Sequence, residues 1–485
     1  MSYLGASTTL QTVAPGIDYF SGNASTTTFQ LSRQIVAVQD ILVYIDNVPQ
    51  NPSTAYSINT ATNQITFTSA PLSGTNNIWV YYNTKTIQML APSQGTVGQA
   101  QMLNPTGTGS PVLASSPTLV TPTINQINNS VPGSSLGAGN ASIMKNRIIN
   151  GAMVIDQRNA GASVSNTTLI TYSLDRWRIY GTQASKFTAQ QNAGSVTPPA
   201  GFTNYLGVTS SSAYTIGSGE VFRVEQAIEG FNIADLGFGT ANAKPITISF
   251  WVRSSLVGTF GGALWNVDAS RSYQFSYSIP VANTWTQIFI NVAGDTTGTW
   301  NTTNGQGLVV EFSMGAGSTQ VGSAGSWGST LYFGVTGQQQ IVSTNGSTFY
   351  ITGVQLEVGS SATGFEYRQY QQELALCQRY YWAAASGVNS AIAMGGYVNS
   401  TQIRTTVKFP VSMRTTPALA ATSGTDYYGM YVNGGNDTFN SFTIYFPNTE
   451  SAAIYNASES SGTAGQAGFV YTNNASASLA FSAEL

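Results

Sequence analysis

Histidine is absent from this 485-residue chain, and cysteine occurs once, at Cys377. Without histidine there is no Ser-His-Asp or Cys-His nucleophilic system and no His-ligated zinc site. One cysteine excludes an intrachain disulfide framework and any thiolate cluster. Charge is scarce as well. Lys+Arg 17 and Asp+Glu 20 make up 8% of the residues, where about a quarter is usual, and the net charge is −3. Arg33 and Lys85 are the basic residues before Lys145, and no basic stripe follows, so a nucleic-acid backbone is not an expected partner. No apolar run approaches the ~18 residues of a membrane span, and the start MSYLGASTTL has neither the basic region nor the apolar core of a secretory signal. No catalytic residue, cofactor or metal is expected.

What is present points to sheet. Hydrophobic residues reach 42%, too many for disorder despite the low charge, and Ser, Thr, Asn, Gln and Gly supply the polarity. At roughly 150 residues per domain the length suits about three domains. The fold class is all-β multidomain: β-sandwich or jelly-roll domains joined by an extended shaft and one short helix.

Residues 1–90 read as a small β domain, with strand-length runs at 41–46, 64–68 and 78–82 between turn residues. Residues 91–146 change character. The phrase GTGSPVLASSPTLVTP (107–122) spaces prolines by five or six residues with small apolar residues between. It suits either a free linker or a segment that winds about its copies and buries Val112, Leu113, Leu119, Val120 and Ile124 between chains. Residues 147–365 form the largest domain. Its runs at 246–252, 273–279, 287–292, 308–312, 331–335 and 349–356 recur as in a sandwich or jelly roll. Ile248, Phe250 and Val252 mark a dry face, and Ser249, Trp251 and Arg253 a wet one.

Residues 366–382 form a helical neck, with a helix over 367–382. Tyr370, Leu374, Cys377 and Tyr381 fall at coiled-coil seam spacing. A helix this short must pack on something, either copies of itself or the underside of the preceding domain. Residues 383–485 form a final β region, the tip.

Sugar recognition needs aromatic faces beside a few placed polar groups. Tyr427, Tyr428, Tyr431, Asn433, Asn436 and Asp437 supply both on a glycine-rich stretch and are candidate glycan ligands, the alternative being a tyrosine-rich turn that packs against another copy of the chain; Trp300 and Trp327, which sit in polar, loop-like surroundings, are candidates too. Trp177, Trp251, Trp265 and Trp285 read as core. Glu220, Glu225 and Glu229 are the densest acid group, but Arg223 among them favours ion pairing over the paired carboxylates of a glycosidase. Asp437 with Asn433 and Asn436 matches no calcium-loop spacing, and Cys377 reads as a buried small hydrophobe.

Three segments resemble pieces of bacteriophage tail fibre proteins. FSGNASTTTF (20–29) with VYIDNV (43–48) is similar to the virion-proximal β modules of such fibres. The phrase at 107–122 resembles their proline-punctuated shafts. NRIINGAMVIDQR (146–158), DRW (175–177), VQLEVG (354–359) and ELALCQRYY (373–381) resemble a carbohydrate-binding-module-like jelly roll of phage fibres and its following helix. The resemblance implies an elongated homotrimer, with Tyr370, Leu374, Cys377 and Tyr381 as trimer seam. It implies a virion location after assembly in the host cytoplasm, and attachment through residues 1–90 to a phage tail, baseplate or adaptor protein. It further implies an adhesin, not an enzyme, whose C-terminal region binds a host surface polysaccharide. A glycan-depolymerising tailspike and a purely structural virion protein are the alternatives.

Overall fold

A computed structural model of the chain describes residues 16–83, 144–266 and 271–485. The chain divides into two compact units, Met1–Ile124 and Asn125–Leu485. The proline-punctuated segment at 107–122 lies outside the described residues. The protein is all-β, multidomain, with one α-helix among the described residues.

The first unit holds two antiparallel sheets. One runs in the order Ile17–Gly22, Gly74–Tyr82, Ile41–Ile45, Val48–Pro49, and the other Thr28–Gln30, Gln64–Phe67, Tyr56–Asn59. Period-two alternation sends Ile41, Val43, Ile78 and Val80 inward to meet Tyr56, Ile65 and Phe67. Asp46 and Asn47, both at positive φ, make the tight turn between paired strands.

The second unit opens with a two-layer sandwich of a seven-stranded and a six-stranded sheet. The strands expected at 246–252, 273–279, 287–292, 308–312 and 349–356 are Ile246–Ser254, Ser272–Ile279, Thr286–Val292, Gln306–Ala316 and Thr348–Val358. Trp177, Phe222, Phe250, Phe260, Phe312 and Phe349 fill the space between the layers. Phe250 meets Phe312 edge-on at 5.0 Å, a favoured aromatic geometry. The expected strand at 331–335 is reduced to Gly334–Val335. Leu331 and Phe333 lie instead against the outer face of the seven-stranded sheet, where Phe333 meets Trp265 edge-on at 5.9 Å.

The helix spans Tyr370–Gln378, shorter than 367–382. The aromatic run Tyr380-Tyr381-Trp382 favours extended backbone, and Tyr381–Ser386 pairs with the late strand Ser478–Ser482. Tyr370, Leu374, Cys377 and Tyr381 therefore form no continuous seam. Cys377 is fully buried within the chain against Ile149, Ile155 and Tyr380, with Leu374 at the edge of that cluster. Tyr381 leaves the helix and lies under the Arg158 guanidinium, 3.7 Å from its ring centre. Tyr370 stays exposed. Of the two packings open for the helix, it takes the one against residues of the preceding domain.

The C-terminal domain is a second two-layer structure. Tyr381–Ser386, Ser478–Ser482 and Ala418–Ala421 form one layer. The other runs Gly435–Phe439, Tyr428–Val432, Ala467–Thr472, Ala391–Tyr397, Ile403–Lys408, Ser451–Asn456, Thr443–Tyr445. Tyr428, Met430, Ile403, Ile454, Val470, Leu479 and Phe481 are buried between them. The last residues return to the sandwich. Glu484 pairs with Arg158 and Arg176, and Arg414 donates to the carbonyl oxygens of Ala483 and Glu484 at 2.7 Å.

Candidate functional site

Strand alternation in the seven-stranded C-terminal sheet puts every second residue on a face that no second layer covers among the described residues. Tyr431 stands opposite both Asn436 and Phe469, and Phe469 opposite Met394. Gly395 faces Thr405, so Met394 and Thr406 share the same row, which continues through Ala453 to Tyr445. The immediate neighbours Met430, Val470 and Ile454 are fully buried, whereas Tyr431 is 41%, Phe469 44% and Met394 69% exposed. The Tyr431 and Phe469 rings lie 5.4 Å apart, and Tyr445 packs on Phe446 at 3.8 Å. Exposed large apolar groups in a row on one face make it a candidate interaction surface.

Beside that row is a shallow trough of about 430 Å3, lined by Met394, Gly396, Val398, Arg404, Thr406 and Gln466. Gly396 in its lining carries no side chain; a Cβ there would come to 3.2 Å from the Gln466 carbonyl oxygen. Arg404 lies over the Tyr445 ring at 4.9 Å, and its Nε is shielded from solvent without a hydrogen-bond partner among the described residues. Aromatic and methionine side chains, hydroxyl and amide groups and a guanidinium thus border one open concavity.

The six tip residues picked from the sequence divide between faces. Tyr431 and Asn436 meet on the open one. Asn433, at φ 51°, and Gly434, at φ 80°, form the two-residue turn of their hairpin. Tyr428 points the other way and is fully buried, its hydroxyl 2.8 Å from the carbonyl oxygens of Thr422 and Ser478. It is a core residue, not a ligand contact. Tyr427 is half-buried against the same core. Asp437 accepts from the Tyr397 hydroxyl at 2.6 Å and the Ser461 backbone N–H at 2.8 Å, so its carboxylate is engaged within the domain. Burial, reinforced by that carboxylate, pushes the Tyr397 hydroxyl well above the usual tyrosine range.

Trp300 belongs to the sandwich interior, and Trp327 packs against that core from its margin. Trp300 is 7% exposed and packs edge-on against Phe238 at 4.9 Å and Trp327 at 5.4 Å. The Trp327 indole is half-buried and donates to the Ala293 carbonyl at 2.7 Å. Trp300 therefore offers no open face, whereas Trp327 stays half-buried on the edge strand Trp327–Gly328 of the seven-stranded sheet.

The acid group is spent on ion pairs and hydrogen bonds. Glu220 accepts from the Gly217 N–H and the Tyr214 hydroxyl, and its carboxyl is held low, chiefly by the former. Glu229 accepts from Arg379 and Tyr380. Glu225 pairs with Arg178 and Arg223, each at 2.8 Å, and stands directly opposite Glu311. Burial drives the Glu311 carboxyl far up. Both acids are 0% exposed, beside the cluster in which Leu331, Phe333 and Leu485 pack on Trp265. A smaller cavity of about 120 Å3 is lined by Phe202, Phe365 and Tyr367, but its Arg368 already binds Glu373 and the Ile148 carbonyl.

Phe469, Met394, Arg404 and Tyr445 were not among the sequence candidates. IRTTVK (403–408) does alternate Arg404, Thr406 and Lys408 against Ile403, Thr405 and Val407, so that signal was available.

No family model matches the chain, and no curated protein matches it in sequence. Among solved structures, it is similar to the enzymatically active domain of tailspike protein 4 of bacteriophage CBA120, at 11% identity and a TM-score of 0.24. That match covers 44% of this chain and 21% of the tailspike chain. A family 11 carbohydrate-binding module from Clostridium thermocellum, in complex with a mixed-linked tetrasaccharide, gives 10% identity and a TM-score of 0.22 over 40% of this chain and 96% of the module. A xylan-binding domain from Paenibacillus barcinonensis gives 8% and 0.20 over 42% and 99%. The chain thus spans about a fifth of the tailspike it matches, and likenesses at these scores say nothing of what it binds.

Proposed function

We propose that the chain is a phage tail fibre adhesin that holds a virion to a host surface glycan through the open face of its C-terminal domain. The observation that carries this reading is the row Tyr431–Phe469–Met394. Three large side chains stand exposed on a regular sheet whose alternate residues are fully buried, beside a trough edged by Thr406 and Gln466. Sugar rings offer apolar C–H faces to such groups and hydroxyls to the amides. The trough is shallow, so each contact is weak. Homotrimeric assembly and several fibres per virion raise avidity through effective concentration. The N-terminal unit supplies attachment to the tail, in keeping with the resemblance of its sequence.

The test is binding of the full chain to immobilised bacterial surface polysaccharides, capsules and O-antigens together. Tyr431→Ala with Phe469→Ala should lower binding at least tenfold, about 1.4 kcal/mol, while costing within roughly 0.5 kcal/mol of stability per exposed site. Polysaccharide incubated with the protein should keep its size distribution; shortening would make the chain a depolymerase. Unchanged binding by the double variant would remove the face from the site. Loss of the trimer with retained binding would reassign it as a subunit contact.

A further inference from the structure

The C-terminal domain is acidic overall. Residues 383–485 hold three bases, Arg404, Lys408 and Arg414, against five acids, Asp426, Asp437, Glu450, Glu459 and Glu484. Two of the three bases nevertheless share one strand and one face. Arg404, Thr406 and Lys408 alternate along Ile403–Lys408 with the inward Ile403, Thr405 and Val407, which sets the two cations about 13 Å apart along the strand. Arg414 is elsewhere, bound to the carbonyl oxygens of Asn304, Ala483 and Glu484.

The domain's own carboxylates do not meet this pair. Asp426 accepts from the Thr438 hydroxyl, Asp437 from Tyr397 and Ser461, and Glu459 from Asn440 and Asn456. Glu484 is held by Arg158 and Arg176. Glu450 is exposed and lies in no ion pair among the described residues. The Arg404 guanidinium carbon meanwhile lies over the Tyr445 ring, 4.9 Å from its centre, and Arg404 takes part in no ion pair among the described residues. A half-buried guanidinium at the trough with no carboxylate partner of its own takes an ionised acceptor best.

We infer that the trough selects a glycan bearing an oxyanion, a carboxylate or a phosphate ester on the sugar, held by the Arg404 fork, with Lys408 answering a second charge farther along the polymer. The inference rests on the adhesin reading of this face and adds the ligand's charge class. Ring stacking on Tyr431 and Phe469 supplies contact area, and Arg404 supplies the discrimination.

The probes are an array of bacterial polysaccharides in three arms: uronic-acid polymers paired with their carboxyl-reduced forms, polymers bearing pendant phosphate esters paired with their dephosphorylated forms of the same length, and neutral polymers. Binding should concentrate on one or both anionic arms, drop at least tenfold on carboxyl reduction or dephosphorylation, and weaken as ionic strength rises from about 0.01 M to about 0.15 M. Arg404→Gln should lose at least tenfold on the anionic arm, Arg404→Lys less, and Lys408→Ala about threefold. Circular dichroism should report the same melting curve for all three. If Arg404→Gln loses its fold, the salt dependence and the paired polymers decide with the unaltered protein. Equal binding to the charged and neutral members of a pair overturns the inference and leaves the adhesin reading standing. Binding to no member of the array overturns both.

Discussion

Asp175 lies 1% exposed and accepts from the Gln157 backbone and side-chain nitrogens at 2.6 Å. Burial nevertheless outweighs those bonds and the nearby Arg158, and pushes its pKa up to about 6. A carboxyl that is more basic in the folded chain than in the unfolded one binds its proton first when folded. Between the unfolded value near 4 and the folded value near 6, stability therefore rises as pH falls. Glu311 acts in the same direction. The denaturant midpoint of the full chain should be higher at pH 5 than at pH 7.5. Asp175→Asn should remove about 1.4 kcal/mol of that difference between pH 7.5 and pH 5, while Glu311 keeps the remainder. A slope of opposite sign would contradict the burial account. The tyrosines of YGMYV (428–432) show what sequence could and could not resolve at this scale. Period two separates Tyr428 and Met430 from Tyr431, yet tyrosine stands on both faces, so composition alone does not say which face is dry. Grouping the residues by proximity in the chain put Tyr428 with Tyr431; the fold puts them on opposite sides of the sheet.

Most strands were legible as elements, because β-branched and aromatic runs between Gly, Asn and Pro turns leave few other options. Ile246–Ser254 and Thr348–Val358 bracket their expected runs. The helix end was not legible. The spacing of Tyr370, Leu374, Cys377 and Tyr381 continues a helical period past Gln378, and a pairing with Ser478–Ser482, about a hundred residues later in the chain, overrides it. The return of the C-terminal strand to the sandwich is equally long-range. Glu484 meets Arg158 and Arg176, whose guanidinium groups lie 3.7 Å from the ring centres of Tyr381 and Tyr380. The Arg176 side chain is 1% exposed. Glu484→Gln keeps the shape of the clasp but leaves a buried guanidinium without its counter-charge, a change that typically costs about 3 kcal/mol or more. Urea unfolding of the full chain followed by tryptophan fluorescence should show that loss as an earlier transition. An unchanged midpoint would mean that the sandwich and the C-terminal domain hold together without the clasp.

Assembly is the property of the whole molecule on which multivalent adhesion depends. A single shallow face with one guanidinium gives weak binding, and avidity needs copies held together. The helix does not supply an obvious bond between copies, since Cys377, its most buried side chain, is consumed within the chain by Ile149, Ile155 and Tyr380. Candidates for self-association include the apolar content of residues 107–122, which lie outside the described residues, the exposed Tyr370, and the exposed Tyr431–Phe469–Met394 row itself. Light scattering should return about 153 kDa, three times the 51.1 kDa chain. Cys377→Ser should leave that mass unchanged while lowering stability, because it places a hydroxyl among apolar groups. Replacing Val112, Leu113, Leu119 and Val120 with serine should dissociate the particle toward about 51 kDa and weaken polysaccharide binding far more than the single-chain site predicts. A mass of about 51 kDa for the unaltered protein would remove trimeric avidity from the proposal and leave adhesion to the one face of one chain.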